Sequence, residues 1–141
     1  MEVRRPMATI DPDGLAHLRR QHAALHTACE KDPRYHFEAC AFVCECVDYA
    51  SAHLGGRRDI RGGELLDCMC DLALERFGYL APTVLEHWGI HTTEDFGNIV
   101  FNLVDTGLLG KTPQDSIDDF RDIFPLREEL HKRYAIEPEE M

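Results

Sequence analysis

With 141 residues, 44% of them hydrophobic and 29% charged, the chain has the size and composition of one folded domain, and a disordered polar chain is excluded. Its formal net charge is −11, and the acid is unevenly placed: six Lys/Arg stand against five Asp/Glu over residues 1–34, but nine against twenty-one over residues 35–141. The body of the domain is therefore acidic, which works against phosphate backbones and anionic membranes and favours basic protein partners or plain solubility.

Residues 1–10 read as a flexible N-terminal arm, and a start at Met7 is compatible with the sequence. No apolar run is long enough to span a bilayer, and the opening residues lack the apolar core of a secretion signal, so the expected compartment is the cytoplasm and no membrane partner is expected. Six cysteines fit that compartment as reduced thiols packed in a core. The first helix is expected after Asp11, Pro12 and Asp13, where Asp caps and Pro suits a first turn. Leu15, Leu18, Leu25 and Cys29 form one stripe along it, with His22 inside the stripe.

Lys31, Asp32 and Pro33 break the chain before a second helix from about Arg34 to His53. Phe37, Cys40, Ala41, Cys44, Val47 and Leu54 mark its main face, while Ala39, Phe42, Val43 and Cys46 spread over the other side, which predicts the most buried helix of the fold. Residues 54–59 form a loop by their glycines. A third helix near 63–77 turns Leu65, Leu66, Met69, Leu72 and Ala73 inward and stops at Gly78. A shorter helix carrying Val84, Leu85 and Trp88 closes at Gly89.

Thr92, Thr93, Glu94 and Asp95 open the next helix with a capping residue and acids in the first turn. Phe96, Ile99, Val100, Leu103 and Val104 then repeat at the clearest helical spacing in the chain, and Gly107 followed by Leu108 suits a left-handed cap. Two helices joined by a tight turn make residues 77–111 a helix-turn-helix pattern. Beyond Leu109 two readings stand: short strands at 108–112 and 120–124 around an acidic loop, or a helix capped by Thr112 to Asp115 with Ile117, Phe120 and Phe124 inward. The hairpin is preferred. A last helix from about Pro125 to Tyr134 precedes a frayed acidic end at 135–141.

DPRYHFEACAFVCECVDY (residues 32–49), RGGELLDCMCDLALERFG (residues 61–78) and LEHWGIHTTEDFGNIVFNLVDTGLL (residues 85–109) resemble an uncharacterised family of short bacterial proteins described mainly from planctomycetes and verrucomicrobia, and DSIDDF (residues 115–120) resembles its late acidic motif. The resemblance implies no activity, cofactor or catalytic residue. The chain departs from the family pattern at Cys40 and Cys46, so those thiols inherit no role from it.

The residues that suggest chemistry form no complete motif. Cys40 and Cys44 lie one helical turn apart and could ligate one metal together, but no C-x-x-C pair occurs, and small core residues are the stronger reading. His22 and His26 are one turn apart without the glutamate of H-E-x-x-H. Glu86, His87, Trp88 and His91 cluster at the tight turn and are the best candidates for acid–base work. Asp115, Asp118, Asp119 and Asp122 are dense but do not follow a calcium-loop spacing, which leaves a solvated face. Arg57, Arg58 and Arg61 form the one basic patch, too small to imply nucleic acid. A recognition helix at 92–106 would offer Asn98 and Asn102 to base edges, yet no Lys or Arg falls between Arg76 and Lys111.

The sequence thus predicts a mainly α single domain over 1–141, with five or six helices, a winged-helix-like C-terminal half and room for a small β-hairpin. No catalytic residue, metal or cofactor is assigned. The preferred function is a non-catalytic protein-interaction module with an unidentified protein partner, using Trp88, His91, Asn98, Phe101 and Asp105, and a homo-oligomer is compatible with it. The alternatives are a metal- or histidine-dependent hydrolase built on His87 and His91, and a nucleic-acid-binding helix-turn-helix protein, which the acidity disfavours.

Overall fold

A computed structural model of the chain describes residues 2–4, 14–53, 60–111 and 117–136, with side chains from 23–53, 60–109 and 117–134. The described residues are mainly α: helices α1 (Gly14–Lys31), α2 (Phe37–His53), α3 (Gly62–Phe77), α4 (Ala81–His87), α5 (Thr93–Asp105) and α6 (Leu126–Ile136), with 3-10 turns at Gly78–Leu80 and Ile117–Phe120. Three very short strands, β1 (Glu2–Arg4), β2 (Ile60–Arg61) and β3 (Gly110–Lys111), share an antiparallel sheet with β1 in the middle.

The core lies between α2, α3 and α5. Helix α2 buries Phe42, Val43, Cys46, Val47 and Ala50, as its nearly all-round apolar sequence demands, and α3 buries Leu65, Leu66, Met69, Cys70 and Ala73 against it. The two helices share the central place expected of α2 alone. Helix α5 turns Phe96, Ile99, Val100 and Leu103 into the same core. Thr92 caps it: its hydroxyl accepts the Asp95 amide, and the Asp95 carboxylate accepts the Thr92 amide in return. At the other end Gly107 takes φ +86° and Leu108 donates back to the Leu103 carbonyl, with its side chain buried.

Several expectations need correction. The preferred hairpin does not form: 117–120 is a 3-10 turn, 121–124 continues as turn and bend, and β3 pairs with β1 rather than with 120–124. Side-chain anchoring overrides the strand pattern, since Phe120 is fully buried against Phe96 and on Gly97, while Thr93 holds the segment by its backbone. The alternative capped helix starts at 112–116, outside the described residues. Part of the N-terminal arm, Glu2–Arg4, is a strand, and 1 and 5–10 lie outside the described residues. Helix α2 starts at Phe37 rather than near Arg34 because the preceding residues are used as a docking segment. Helix α6 continues to Ile136, and the end at 137–141 lies outside the described residues. Leu15, Leu18 and His22 fall where side chains are not described, whereas Leu25 and Cys29 pack half-buried on the core.

Candidate functional site

The helix-turn-helix is not an open surface. The connection between α1 and α2, residues 32–36, lies across it and is fastened at both levels of structure. The His36 amide donates to the Trp88 carbonyl at 3.0 Å, which joins the connection to the turn between α4 and α5. Gly89 makes this approach possible: it has φ +98°, and a Cβ at that position would collide with the Arg34 carbonyl oxygen. His36 also starts α2, its Nδ1 accepting the Glu38 amide at 3.1 Å.

Side chains complete the clamp. The Tyr35 hydroxyl donates to Asp95 Oδ1 at 2.6 Å and accepts from Asn98 Nδ2 at 3.0 Å. Asn102 Nδ2 donates to Asp32 Oδ2 at 2.9 Å, and Lys31 Nζ reaches Asp105 Oδ2 at 2.8 Å. Asp95, Asn98, Asn102 and Asp105 recur every three or four residues, so one polar stripe of α5 faces the connection. Burial and the Asp95 carboxylate push the Tyr35 phenol up to about 12. Arg34, which forks onto Asp32 at 2.7–2.8 Å, holds the Asp32 carboxyl down to about 2 with help from Asn102, against the opposing effect of burial.

The five residues grouped from the sequence therefore do not share one exposed face. Trp88 is half-buried in an aromatic cluster, its ring 5.6 Å from both Phe42 and Phe77. Asn98 and Asp105 are spent on Tyr35 and Lys31. Phe101 is half-buried and meets Phe120 edge-on at 6.5 Å. His91 is exposed and its amide donates to Asp95. The two asparagine amides that could read base edges are engaged within the fold, a use that only tertiary contact could reveal.

The histidine cluster is divided as well. His91 lines a cleft of about 520 Å³ with Thr92, Thr93 and residues 122–128, so Asp122 and Glu128 share its walls. His87 is not on that lining; its ring lies 6.4 Å from His36. Glu86 is engaged by Arg127 in a two-bonded pair at 2.6 and 2.8 Å.

Cys40, Cys44, Cys46, Cys68 and Cys70 are buried and Cys29 is half-buried, all as free thiols. Burial pushes Cys40 and Cys70 up to about 12 and Cys46 well above its ordinary value, so these thiols are held neutral in apolar surroundings. Among the described residues no group of three or more His, Cys, Asp or Glu is arranged to hold a metal ion. Asp118 pairs with Arg121 at 2.7 Å, Asp122 adopts φ +50°, and Asp115 lies outside the described residues. Arg61 is exposed beside the Glu64 carboxylate that accepts its amide, while Arg57 and Arg58 lie outside the described residues. No described helix is long and apolar enough to cross a membrane.

The surface feature that the sequence did not single out is apolar. Tyr79 is 65% exposed, Leu80 58% and Tyr134 39%. The Tyr79 ring lies 6.1 Å from Tyr134 and 5.9 Å from His131, and Tyr134 sits over Gly78. The 3-10 turn before α4 and the outer side of α6 thus present one aromatic patch. Tyr79 and Leu80 fall in the short stretch between α3 and α4, where the periodic pattern is interrupted, so sequence gave them no face. No family model, curated protein or solved structure matches this chain.

Proposed function

We propose that the protein is a non-catalytic cytoplasmic module that docks another protein chain through the Tyr79, Leu80 and Tyr134 patch. One observation carries this reading: Tyr79 and the adjoining Leu80 are exposed beside Tyr134, and among the described residues Ile123 is the one other large apolar side chain so exposed. Tyrosine gives much contact area for little lost freedom and is enriched where protein surfaces bind tightly. The winged-helix-like reading of the C-terminal half is part of the same proposal, supported by β2 and β3 flanking the α3–α5 unit and sharing a sheet. Kinship with the bacterial family that roughly residues 32–130 resemble is likewise proposed; it assigns no activity.

Capture from a native lysate by the wild-type chain, set beside Tyr79→Ser with Leu80→Ser, tests the reading. A partner retained by the wild type and lost by the variant supports it. Equal recovery on both, or none above background at any salt, overturns it.

The hydrolase reading keeps one supporting observation, the cleft in which His91 stands with Asp122 and Glu128. It would be carried by His91 without His87. Hydrolysis of a model ester that disappears in His91→Ala, with the fold retained, would favour it over docking.

A further inference from the structure

We propose that Cys29 and Cys40 form a redox latch, in which a hydroperoxide joins the two thiols in a reversible disulfide that ties the end of α1 to the start of α2. Three observations carry it. The Cys40 thiol is hydrogen-bonded to Cys29, so the two side chains already meet where α1 packs on α2. Cys29 is half-buried while the other five cysteines are buried, which makes it the thiol that solvent reaches. Its Sγ donates to the Tyr35 carbonyl at 3.8 Å, which places the pair against the connection that crosses α5. Cys44 lies beside Cys40, yet these thiols are not arranged to hold a metal ion, so the pair reads as a redox couple rather than a ligand set. Cys46 lies near Cys68 and Cys70, but Cys46 and Cys70 are fully buried, which shuts an oxidant out.

The chemistry runs in two steps. Cys29 gives up its proton and attacks one oxygen of hydrogen peroxide; an S–O bond forms, the O–O bond breaks, and hydroxide leaves with that proton as water. Cys29 is then a sulfenic acid. The Cys40 sulfur attacks the Cys29 sulfur, the S–S bond forms as the S–O bond breaks, and the departing hydroxide takes the Cys40 proton as a second water. The two thiols lose two electrons and the peroxide gains them. Burial holds the Cys40 thiol neutral, so it serves as the resolving partner and not as the first nucleophile. A neutral peroxide also suits a chain of net charge −11 better than an anionic disulfide, which that charge repels. The bond closes a ring from residue 29 to residue 40 that contains the whole 32–36 connection, so the clamp on α5 is held more firmly. In a reducing compartment such a bond is transient and reports oxidation.

The test treats the reduced full chain with hydrogen peroxide, alkylates the remaining thiols and maps tryptic peptides by mass. Lys31 and Arg34 lie between the two cysteines, so the bond holds two peptides together until a dithiol reductant parts them. Fragment spectra place the bond on Cys40 rather than on Cys44 or Cys46, which share its peptide. The linked pair is expected in the wild type and in Cys44→Ala, and is expected to be absent from Cys29→Ser and Cys40→Ala. The oxidised wild type should unfold with an equilibrium constant at least about tenfold smaller than the reduced chain, because a closed ring removes freedom from the unfolded state. Reductant should reverse that shift, and Cys29→Ser should never show it. A wild type that forms no internal disulfide, with its thiols still alkylated or Cys29 carried on to a sulfinic acid, overturns the proposal. So does a bond from Cys29 to Cys44 or Cys46, a bond formed only between two copies, or a Cys29–Cys40 bond that leaves unfolding unchanged. The map on the wild type decides the pairing even where circular dichroism shows that a variant has lost its fold.

Discussion

Two surfaces of this molecule reverse the usual division between polar outside and apolar inside. The outer stripe of α5, with Asp95, Asn98 and Asn102, is polar yet half-buried, bonded to Asp32 and Tyr35, and Asp105 extends it as an exposed pair with Lys31. The turn at Gly78–Leu80 and the outer side of α6 are aromatic yet exposed. A polar side chain goes inside when its partners are supplied in place, and an apolar one stays outside when no neighbouring element covers it. What a helix-turn-helix can offer a ligand therefore depends on what else packs against it.

The largest effect should come from breaking the clamp at its backbone. Gly89→Ala forces a left-handed conformation on a residue with a Cβ and drives that Cβ into the Arg34 carbonyl, so denaturant unfolding should show a loss of about 3 kcal/mol. Next comes the anchor of the 117–123 segment. The buried Thr93 hydroxyl donates to the Phe120 carbonyl at 2.6 Å and accepts the Ile123 amide at 3.2 Å. Thr93→Val leaves both without a partner and should cost about 1–3 kcal/mol in the same measurement.

Tyr35→Phe is smaller, about 1 kcal/mol, because it removes only the hydroxyl shared by Asp95 and Asn98. Its pH signature is sharper. The fold raises the Tyr35 phenol from 10.0 to about 12, so its contribution is complete below pH 10 and is lost as pH rises through 12. Asp32 is the opposite case: lowered from 3.8 to about 2, it contributes above pH 3.8 and loses that contribution as pH falls through 2. Burial also raises the Tyr49 phenol, so ultraviolet titration should show a component near 12 that Tyr35→Phe removes, together with the alkaline part of the stability profile, while the Tyr49 component stays. Smallest of all, Tyr79→Ser should change stability by no more than about 0.5 kcal/mol, since the ring is mostly in water. A large loss there would mean that the patch supports the fold rather than a partner.

Helix α5 could be read from sequence almost to the residue, because its apolar period, its Thr92 cap and its Gly107 stop are all local signals. The same holds for Gly78 and Gly89, whose positive φ angles end their helices. The clamp could not be read that way. Its bonds join residues 60, 63 and 70 positions apart, and DPRYH looks like an ordinary break when nothing shows what it faces. The segment at 120–124 misled for a related reason: a short apolar stretch there is compatible with a strand, but Phe120 seats on Gly97, where a Cβ would come within 2.6 Å of the ring's attachment.

By itself the sequence determined a mainly α fold, the helix ends marked by Gly78, Gly89 and Gly107, and an acidic body, since each follows from residue type and short-range spacing. Only the tertiary structure decided that Asp95, Asn98 and Asn102 on α5 are engaged by Asp32 and Tyr35 and that Tyr79, Leu80 and Tyr134 remain uncovered. Exposure is a property of what packs next to a residue, and packing partners far apart in the chain leave no period in the sequence to announce them.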